Sequence, residues 1–351
     1  MPVDFFIIKV FFFAFLAFIV TVAWTPLLTN FLYKHKMGKQ IRASSDAPIF
    51  SQMHQGKSGT PTMGGILIWV TVAVFAILFY YLGQWLGGTF EQLSFLSRSQ
   101  TLLPLGALVA AALVGLVDDY LNIRKIGPCG GGLSMKHRLA VYALIACVVA
   151  WWFFFKLEWD FVRIPFVATF NIGWWYIPFV IFVVVATAFS VNEIDGLDGL
   201  AGGTLLTSFL AFGAIAFVQG RYDLATFCAA IVGALLAFLW FNIPPARFFM
   251  GDTGAMSLGV VLAVIALLTN AVILLPIIGL LFVVESGSVI IQMISKKLRK
   301  GKKVFLSSPI HHHFEALGWP ESKVVMRFWV IAAIMAVIGL VTFLMDRGGW
   351  R

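Results

Sequence analysis

Charge is scarce in this sequence. Asp, Glu, Lys and Arg supply 12% of its 351 residues, against roughly 25% in soluble domains. With 60% of residues hydrophobic, an ordinary water-soluble globule is excluded. Cysteine is scarce too. Cys129, Cys147 and Cys228 are scattered, so neither a disulfide framework nor a metal-ligand spacing exists. Cys147 and Cys228 fall inside apolar runs and read as packing residues. No loop exceeds about 35 residues, too few for a separate soluble domain, so 1–351 reads as a single polytopic membrane domain. No clear internal repeat is present, which weighs against many secondary-transporter folds. The apolar run 5–28 is too long for a cleavable leader and lacks a small-residue cleavage site. It reads as a first spanning helix.

What is abundant is apolar sequence of membrane-spanning length, about 17–25 residues. Such runs, two of them slightly short, cover 5–28, 61–82, 102–117, 139–155, 174–190, 200–219, 224–241, 254–269, 271–294 and 326–345. The reading is an all-α integral membrane protein with ten transmembrane helices. Only Asn270 divides the eighth run from the ninth, but 254–294 is too long for one span. Residues 157–173 partly alternate and suggest a small hairpin.

Basic residues set the orientation. Loops at the ends of odd-numbered runs hold Lys34, Lys36, Lys39, Arg42, Lys57, Arg124, Lys125, Lys136, Arg138, Arg247 and the cluster Lys296–Lys303, followed by Lys323 and Arg327. The other face has seven: Lys9, Arg98, Lys156, Arg163, Arg221, Arg347 and Arg351. The basic face is therefore expected to be cytoplasmic, with both termini outside. The net charge of +9 is first a topology signal. It gives no support to nucleic acid as a partner, because the charge sits in short juxtamembrane loops.

Every polar cluster of chemical character lies beside an odd-run exit. Val191–Leu200, V-N-E-I-D-G-L-D-G-L, ends an apolar run with Glu193, Asp195 and Asp198, and ionisable groups at membrane depth default to function. The others are Lys57 with Thr60–Gly65, Asp118-Asp119, Asn242 with Phe249–Asp252, and His311-His312-His313. Convergence from five places predicts a composite active site on one membrane face. The adjacent Asp118 and Asp119 repel unless a cation or proton lies between them. Mg²⁺ suits that role, since it takes one or two carboxylates plus substrate phosphates. Alternatively, one of the pair is a general base, or the pair is a polar helix end. Asp252 is either a further carboxylate of the site or a helix N-cap. The neighbouring Phe248-Phe249 offers a ring for a nucleobase. The adjacent histidines lack zinc spacing, and phosphate binding beside the nearby cations fits them better. A plain loop role is favoured for His313. Thr60 caps a helix start, and backbone N–H groups there suit an anion. Glu285, inside the ninth run, needs a partner that the sequence does not name. Glu193 reads as a solvated loop acid. These features suit phosphoryl transfer from a nucleotide substrate to a lipid phosphate. An ion-path reading is weaker, because only Glu285 lies deep.

The motifs T-P-T-M-G-G (60–65), V-D-D-Y (117–120), N-E-I-D-G-L-D-G-L-A (192–201), F-N (241–242), F-M-G-D-T-G (249–254) and P-I-H-H-H-F-E (309–315) resemble those of the polyprenyl-phosphate N-acetylhexosamine-1-phosphate transferases. They occur in that family's order over most of the chain. The triple histidine followed by Glu315 resembles the muramoyl branch rather than the sibling branch that uses UDP-GlcNAc. The resemblance implies a multi-pass protein of the bacterial inner membrane, usually a homodimer and dependent on Mg²⁺. It implies transfer of phospho-MurNAc-pentapeptide from its UDP derivative to undecaprenyl phosphate, releasing UMP, with the site on the cytoplasmic face. Asp118 would be the base, supported by Asp119, with Asp252 binding Mg²⁺ beside that pair. Gly196, Leu197, Asp198, Asn242 and Phe249 would surround uridine. Lys57, Thr62, Asn192 and Asp195 would line the adjoining pocket. His311 and His312 would contact phosphate or sugar, with His313 next to them. One departure stands out: Asn122 occupies a position where the family commonly has Lys, with Arg124 and Lys125 as candidates to supply the charge.

Overall fold

A computed structural model describes residues 3–38, 57, 59–128 and 131–348. Lys39, Arg42, Cys129 and Arg351 lie outside the described residues. The chain runs α1 (Val3–Lys34), α2 (Ile66–Leu86), the short α3 (Gly88–Leu93), α4 (Leu102–Ile123) and α5 (Met135–Trp151). A two-stranded hairpin follows, β1 (Phe161–Ile164) antiparallel to β2 (Ala168–Asn171), with Phe161 opposite Asn171. Then come α6 (Tyr176–Ile194), α7 (Leu200–Val218), α8 (Tyr222–Asn242), α9 (Gly251–Leu268), the one-turn α10 (Leu275–Ile278), α11 (Leu280–Leu298), the short α12 (Ile310–Ala316) and α13 (Glu321–Gly348). Among the described residues nine helices are long and apolar enough to span a membrane, and a bent pair brings the number to ten. This is an integral membrane protein, helical because lipid cannot satisfy an open backbone. The expected hairpin at 157–173 is present.

α9 is the hub. Every residue in it except Asp252 is buried, as expected of a helix apolar on all sides. It packs against α4 and α6, while α8 packs against α1 and α7. Small residues set the spacing, as is usual between membrane helices. A Cβ on Gly115 of α4 would overlap the Asp252 carbonyl, and one on Gly233 of α8 would overlap the Ala14 carbonyl of α1. The Gly115 approach brings Asp118 and Asp119 to the first turn of α9. The outer helices α1 and α13 keep apolar side chains such as Phe11, Phe15 and Val330 exposed, as lipid contact requires.

Several features differ from the sequence reading, among them the second helix, which starts at Ile66 after Gly65 rather than at 61 after a Thr60 cap. The division at Asn270 holds, with that residue in a left-handed turn at φ 48°. The ninth run, however, is bent by 79° between Val272–Ile278 and Leu280–Leu298. The break falls at Gly279, and α10 leans onto α13, where a Cβ on Gly339 would overlap Ile278. The last helix begins at Glu321 rather than near residue 326, directly after Pro320, a residue preorganised for helix starts. Cys228 is buried as expected, but Cys147 is exposed on the helix surface.

At the end of α13 far from its Glu321 terminus, Asp346 accepts bonds from Arg163 Nε and the Phe166 N–H, both at 2.8 Å. These fasten the hairpin to the last helix. Gly233→Val should lower the thermal unfolding midpoint of the detergent-solubilised protein, because over-packing a close crossing costs about 1–3 kcal/mol. An unchanged midpoint would show that α1 and α8 are not locked at this crossing.

Candidate active site

The site begins with a helix end. The first N–H groups of a helix have no partner inside it. At the start of α9 a carboxylate from α4 supplies one. Asp119 accepts from the Asp252 N–H at 3.1 Å, the Thr253 N–H at 3.0 Å and Thr62 Oγ1 at 3.3 Å. Negative charge at this end also complements the helix dipole. Asp119 is 4% exposed. Both of its oxygens hold α9 and the Thr62 turn against α4, so it acts as a clamp between three segments.

Asp118, 0% exposed, points the other way. Its Oδ1 accepts from the Leu133 N–H at 2.5 Å, and its Oδ2 lies 2.8 Å from Arg138 Nε. Arg138, in the first turn of α5, also reaches Asp252 Oδ2 at 3.0 Å and donates to Asn192 Oδ1 at 3.2 Å. Asn192 Nδ2 closes the ring on Asp252 Oδ1 at 2.6 Å. One guanidinium thus joins α4, α5, α6 and α9. Its planar fork suits two carboxylates better than an ammonium would.

A second charged group lies on the same end. Lys57 Nζ donates to Asp198 Oδ1 at 2.7 Å and to Glu321 Oε1 at 2.5 Å. Glu321 Oε1 also accepts from the Asp198 N–H at 2.7 Å, and Asp198 Oδ2 accepts from the Ala246 N–H at 3.1 Å. The Lys57 ammonium stands 6.0 Å from the Phe249 ring centroid. Asn242 ties the neighbouring backbone together: its Oδ1 accepts from the Gly199 N–H at 2.9 Å and its Nδ2 donates to the Phe248 carbonyl at 2.8 Å.

The histidines form the third wall. His311 Nδ1 lies 2.9 Å from Glu285 Oε2, with both side chains fully buried. His312 Nδ1 lies 2.7 Å from Glu315 Oε2. The two imidazoles meet edge to face at 4.1 Å. A Cβ on Gly196 would overlap His311 Nε2 and come within 3.2 Å of His312 Nε2. His313 turns away: its Nδ1 accepts from the Leu306 N–H at 3.2 Å, which pins the loop before α12.

Buried polar atoms normally find partners. Among the described residues eight buried side-chain atoms lack an aligned hydrogen bond, and five of them are here: Asp118 Oδ2 and Arg138 Nε, which face each other as an ion pair at 2.8 Å, and Tyr142 Oη, Glu285 Oε1 and His311 Nε2. Such a concentration belongs to a site shaped for something other than its own side chains.

Comparison with known proteins agrees with this geometry. The Glycosyl transferase family 4 profile matches residues 101–270, and the phospho-N-acetylmuramoyl-pentapeptide-transferase signature 1 matches residues 57–68. A phospho-N-acetylmuramoyl-pentapeptide-transferase of Chloroflexus aggregans is 40% identical over 336 residues, covering 92% of this chain and 86% of the relative. The chain belongs to the phospho-N-acetylmuramoyl-pentapeptide-transferase family. Relatives of that name from Bacillus subtilis and Anoxybacillus flavithermus are each 40% identical, covering 93% of this chain and 95% of their own. This family member is therefore a transferase.

Within it, most of the residues singled out from sequence do converge. Asp118, Asp119, Asp252, Asn192 and Thr62 share one network, Lys57 and Asp198 share another, and His311, His312 and Gly196 form a third. Asp195 follows α6 and is half-buried. Leu197 is 4% exposed and packed into the core. The two adjacent phenylalanines separate: Phe248 is fully buried against Phe238 and Phe241, while Phe249 stays half-buried near Lys57. Phe248 has no face left for a base. Neither Arg124 nor Lys125 fills the role left by Asn122, since both are exposed and Arg124 lies over the Tyr120 ring at 5.3 Å. The cation that does meet Asp118 and Asp252 is Arg138.

Arg138 and Glu321 were not among the site residues found from sequence. Each stands beside a helix start that the apolar runs placed several residues too late. The start signals, Ser134 before α5 and Pro320 before α13, were the available clues. Two predictions follow from this geometry. Arg138→Gln removes the charge between two carboxylates, and losing one partner of a buried pair costs about 3–5 kcal/mol. Transferase turnover should fall by roughly tenfold or more and the unfolding midpoint should drop; unchanged values for both would remove Arg138 from the centre of the site. Gly196→Ala should abolish most turnover and also lower the unfolding midpoint, because its methyl group would overlap the fully buried His311 ring and over-packing costs about 1–3 kcal/mol. Full turnover would mean that this wall is not part of the site.

Proposed function

We propose that the protein transfers phospho-MurNAc-pentapeptide from UDP-MurNAc-pentapeptide to undecaprenyl phosphate, forming lipid I and UMP in peptidoglycan synthesis. The observation that carries this reading is the convergence of Asp118 and Asp252 on one guanidinium, Arg138, together with the buried, unpartnered Nε2 of His311, in a chain of this family. An oxygen of the lipid phosphate attacks the sugar-linked phosphorus of the UDP substrate. A new P–O–P bond forms as the bond to UMP breaks, and Asp118 takes the proton of the lipid phosphate. Arg138 balances the charge of Asp118 and Asp252 between turnovers. Lys57 and Phe249 stand where a nucleotide would find a cation and a ring.

Mg²⁺ fits these residues. Asp118 Oδ2 and Asp252 Oδ2 converge on one cation, at 2.8 and 3.0 Å from the Arg138 guanidinium, and both are hard oxygen donors. Among the described residues no group of three or more Asp, Glu, His or Cys gathers into a metal cage, so the ion would rely on one or two carboxylates plus substrate oxygens, as Mg²⁺ commonly does. Asp252 and Asp118 would hold it, and it would neutralise the diphosphate. Asp119 supports them from the clamp.

The basic loops orient this end of the bundle to the cytoplasm by the positive-inside rule. The reading therefore includes a bacterial inner-membrane protein with both termini outside, working as a homodimer. The substrate is tested by following UMP release with undecaprenyl phosphate and either UDP-MurNAc-pentapeptide or UDP-GlcNAc. Release from the muramoyl substrate is expected, and a preference for UDP-GlcNAc would assign the protein to the sibling activity. Asp252→Asn should reduce turnover at least a hundredfold by analogy with the loss of one preorganised charge-stabilising group, about 10²–10³. It should also raise the Mg²⁺ concentration needed for half-maximal rate. Near wild-type turnover would remove Asp252 from metal binding.

A further inference from the structure

Glu285 and His311 form a fully buried pair at the inner edge of the site. Glu285 lies on α11, one helix away from the carboxylates at the ends of α4 and α9. A carboxylate in a membrane helix bundle is expensive unless a partner lies against it. Its Oε2 meets His311 Nδ1 at 2.9 Å, and its Oε1 has no hydrogen-bond partner. On the other side of the ring, His311 Nε2 is buried and also lacks one. It is aimed at Gly196, where a side chain would overlap it. The second histidine is engaged separately, by Glu315. The hydrogen bond at one ring nitrogen sets what the other can do. A carboxylate at Nδ1 keeps a proton there, fixes the ring plane and supports positive charge on the imidazole.

We propose that Glu285 is a positioning residue, which rests on the transferase reading above: through the Oε2–Nδ1 bond it fixes the His311 ring, so that Nε2, buried and unpartnered beside Gly196, donates a hydrogen bond to a substrate phosphate oxygen. The anionic oxygen then completes a relay, carboxylate to imidazolium to phosphate, in a space that excludes water. Charge grows on the diphosphate bridge as UMP departs, so the donor acts mainly on the chemical step. Gly196 is required by the same geometry, because a Cβ there would overlap His311 Nε2 and push the ring off the Glu285 bond. The relay also accounts for the depth of Glu285. A carboxylate nearer the aqueous end would compete for the substrate's place, whereas one behind the ring supports the imidazole without touching substrate.

The test is a double-mutant cycle on the full-length protein in detergent or vesicles, measured as UMP release. Glu285→Gln retains an acceptor for Nδ1–H but removes the charge. It should lower kcat by roughly tenfold or more, as expected for weakening one preorganised donor, while KM for the UDP substrate stays within about twofold, because ground-state binding is little changed. In a His311→Gln background, Glu285→Gln should lower kcat no further, since coupled residues are not additive. Multiplying losses, an effect confined to KM, or full activity of Glu285→Gln would each overturn the proposal. If Glu285→Gln does not accumulate, proton NMR of the wild type decides. A far-downfield, slowly exchanging Nδ1 proton should be present and vanish in His311→Gln, and its absence from the wild type would overturn the pairing. If the wild type itself releases no UMP, the transferase substrate is wrong, while the NMR measurement still tests the Glu285–His311 bond.

Discussion

One buried carboxylate, one half-buried carboxylate and the guanidinium between them set the terms for this molecule. Asp118 and Asp252 come from helices that are distant in sequence, and Arg138 bonds to both. Like charges this close repel strongly where water is scarce. The cation between them lets α4, α5, α6 and α9 end at one place. The same arrangement suits catalysis. A guanidinium suits an anionic group, and a carboxylate suits proton transfer. The arginine keeps both in reach without an unpaired buried charge.

Asp119 has a different task from its neighbour although the two are adjacent. A helix turns by about 100° per residue, so consecutive side chains point to different surroundings. Asp118 faces Arg138 of α5 and the Leu133 N–H, whereas Asp119 faces the open N–H groups of α9. A sequence pair that reads as one metal-binding unit is therefore divided between chemistry and architecture. Asn242 shows the same division, with both ends of its amide engaged by backbone.

Much of the fold was legible, because the bilayer imposes length and polarity on each span. Even the narrow break at Asn270 was readable. The 79° bend in the ninth run was not, since a glycine in an apolar stretch gives no angle. The candidate site was legible to the extent that its residues lie at helix exits of one parity. Individual partners were not. The bonds from Glu285 to His311 and from Lys57 to Glu321 join residues 26 and 264 positions apart, and pairing at such range is decided by packing that periodicity does not record. Phe248 and Phe249 were likewise indistinguishable until neighbouring helices buried one of them.

The bond between Lys57 and Glu321 also has a consequence for biosynthesis. Lys57 precedes the second helix, whereas Glu321 opens the last one, so most of the chain must be made and inserted before that contact exists. Until then, among the described residues, Lys57 has Asp198 as its carboxylate partner, itself supplied midway. The substrate end of the molecule is thus assembled from both extremes of the chain and closes last. A nascent or truncated chain lacking α13 holds its carboxylates and its lysine in an unfinished arrangement, and the capacity for turnover arrives only with the final helix.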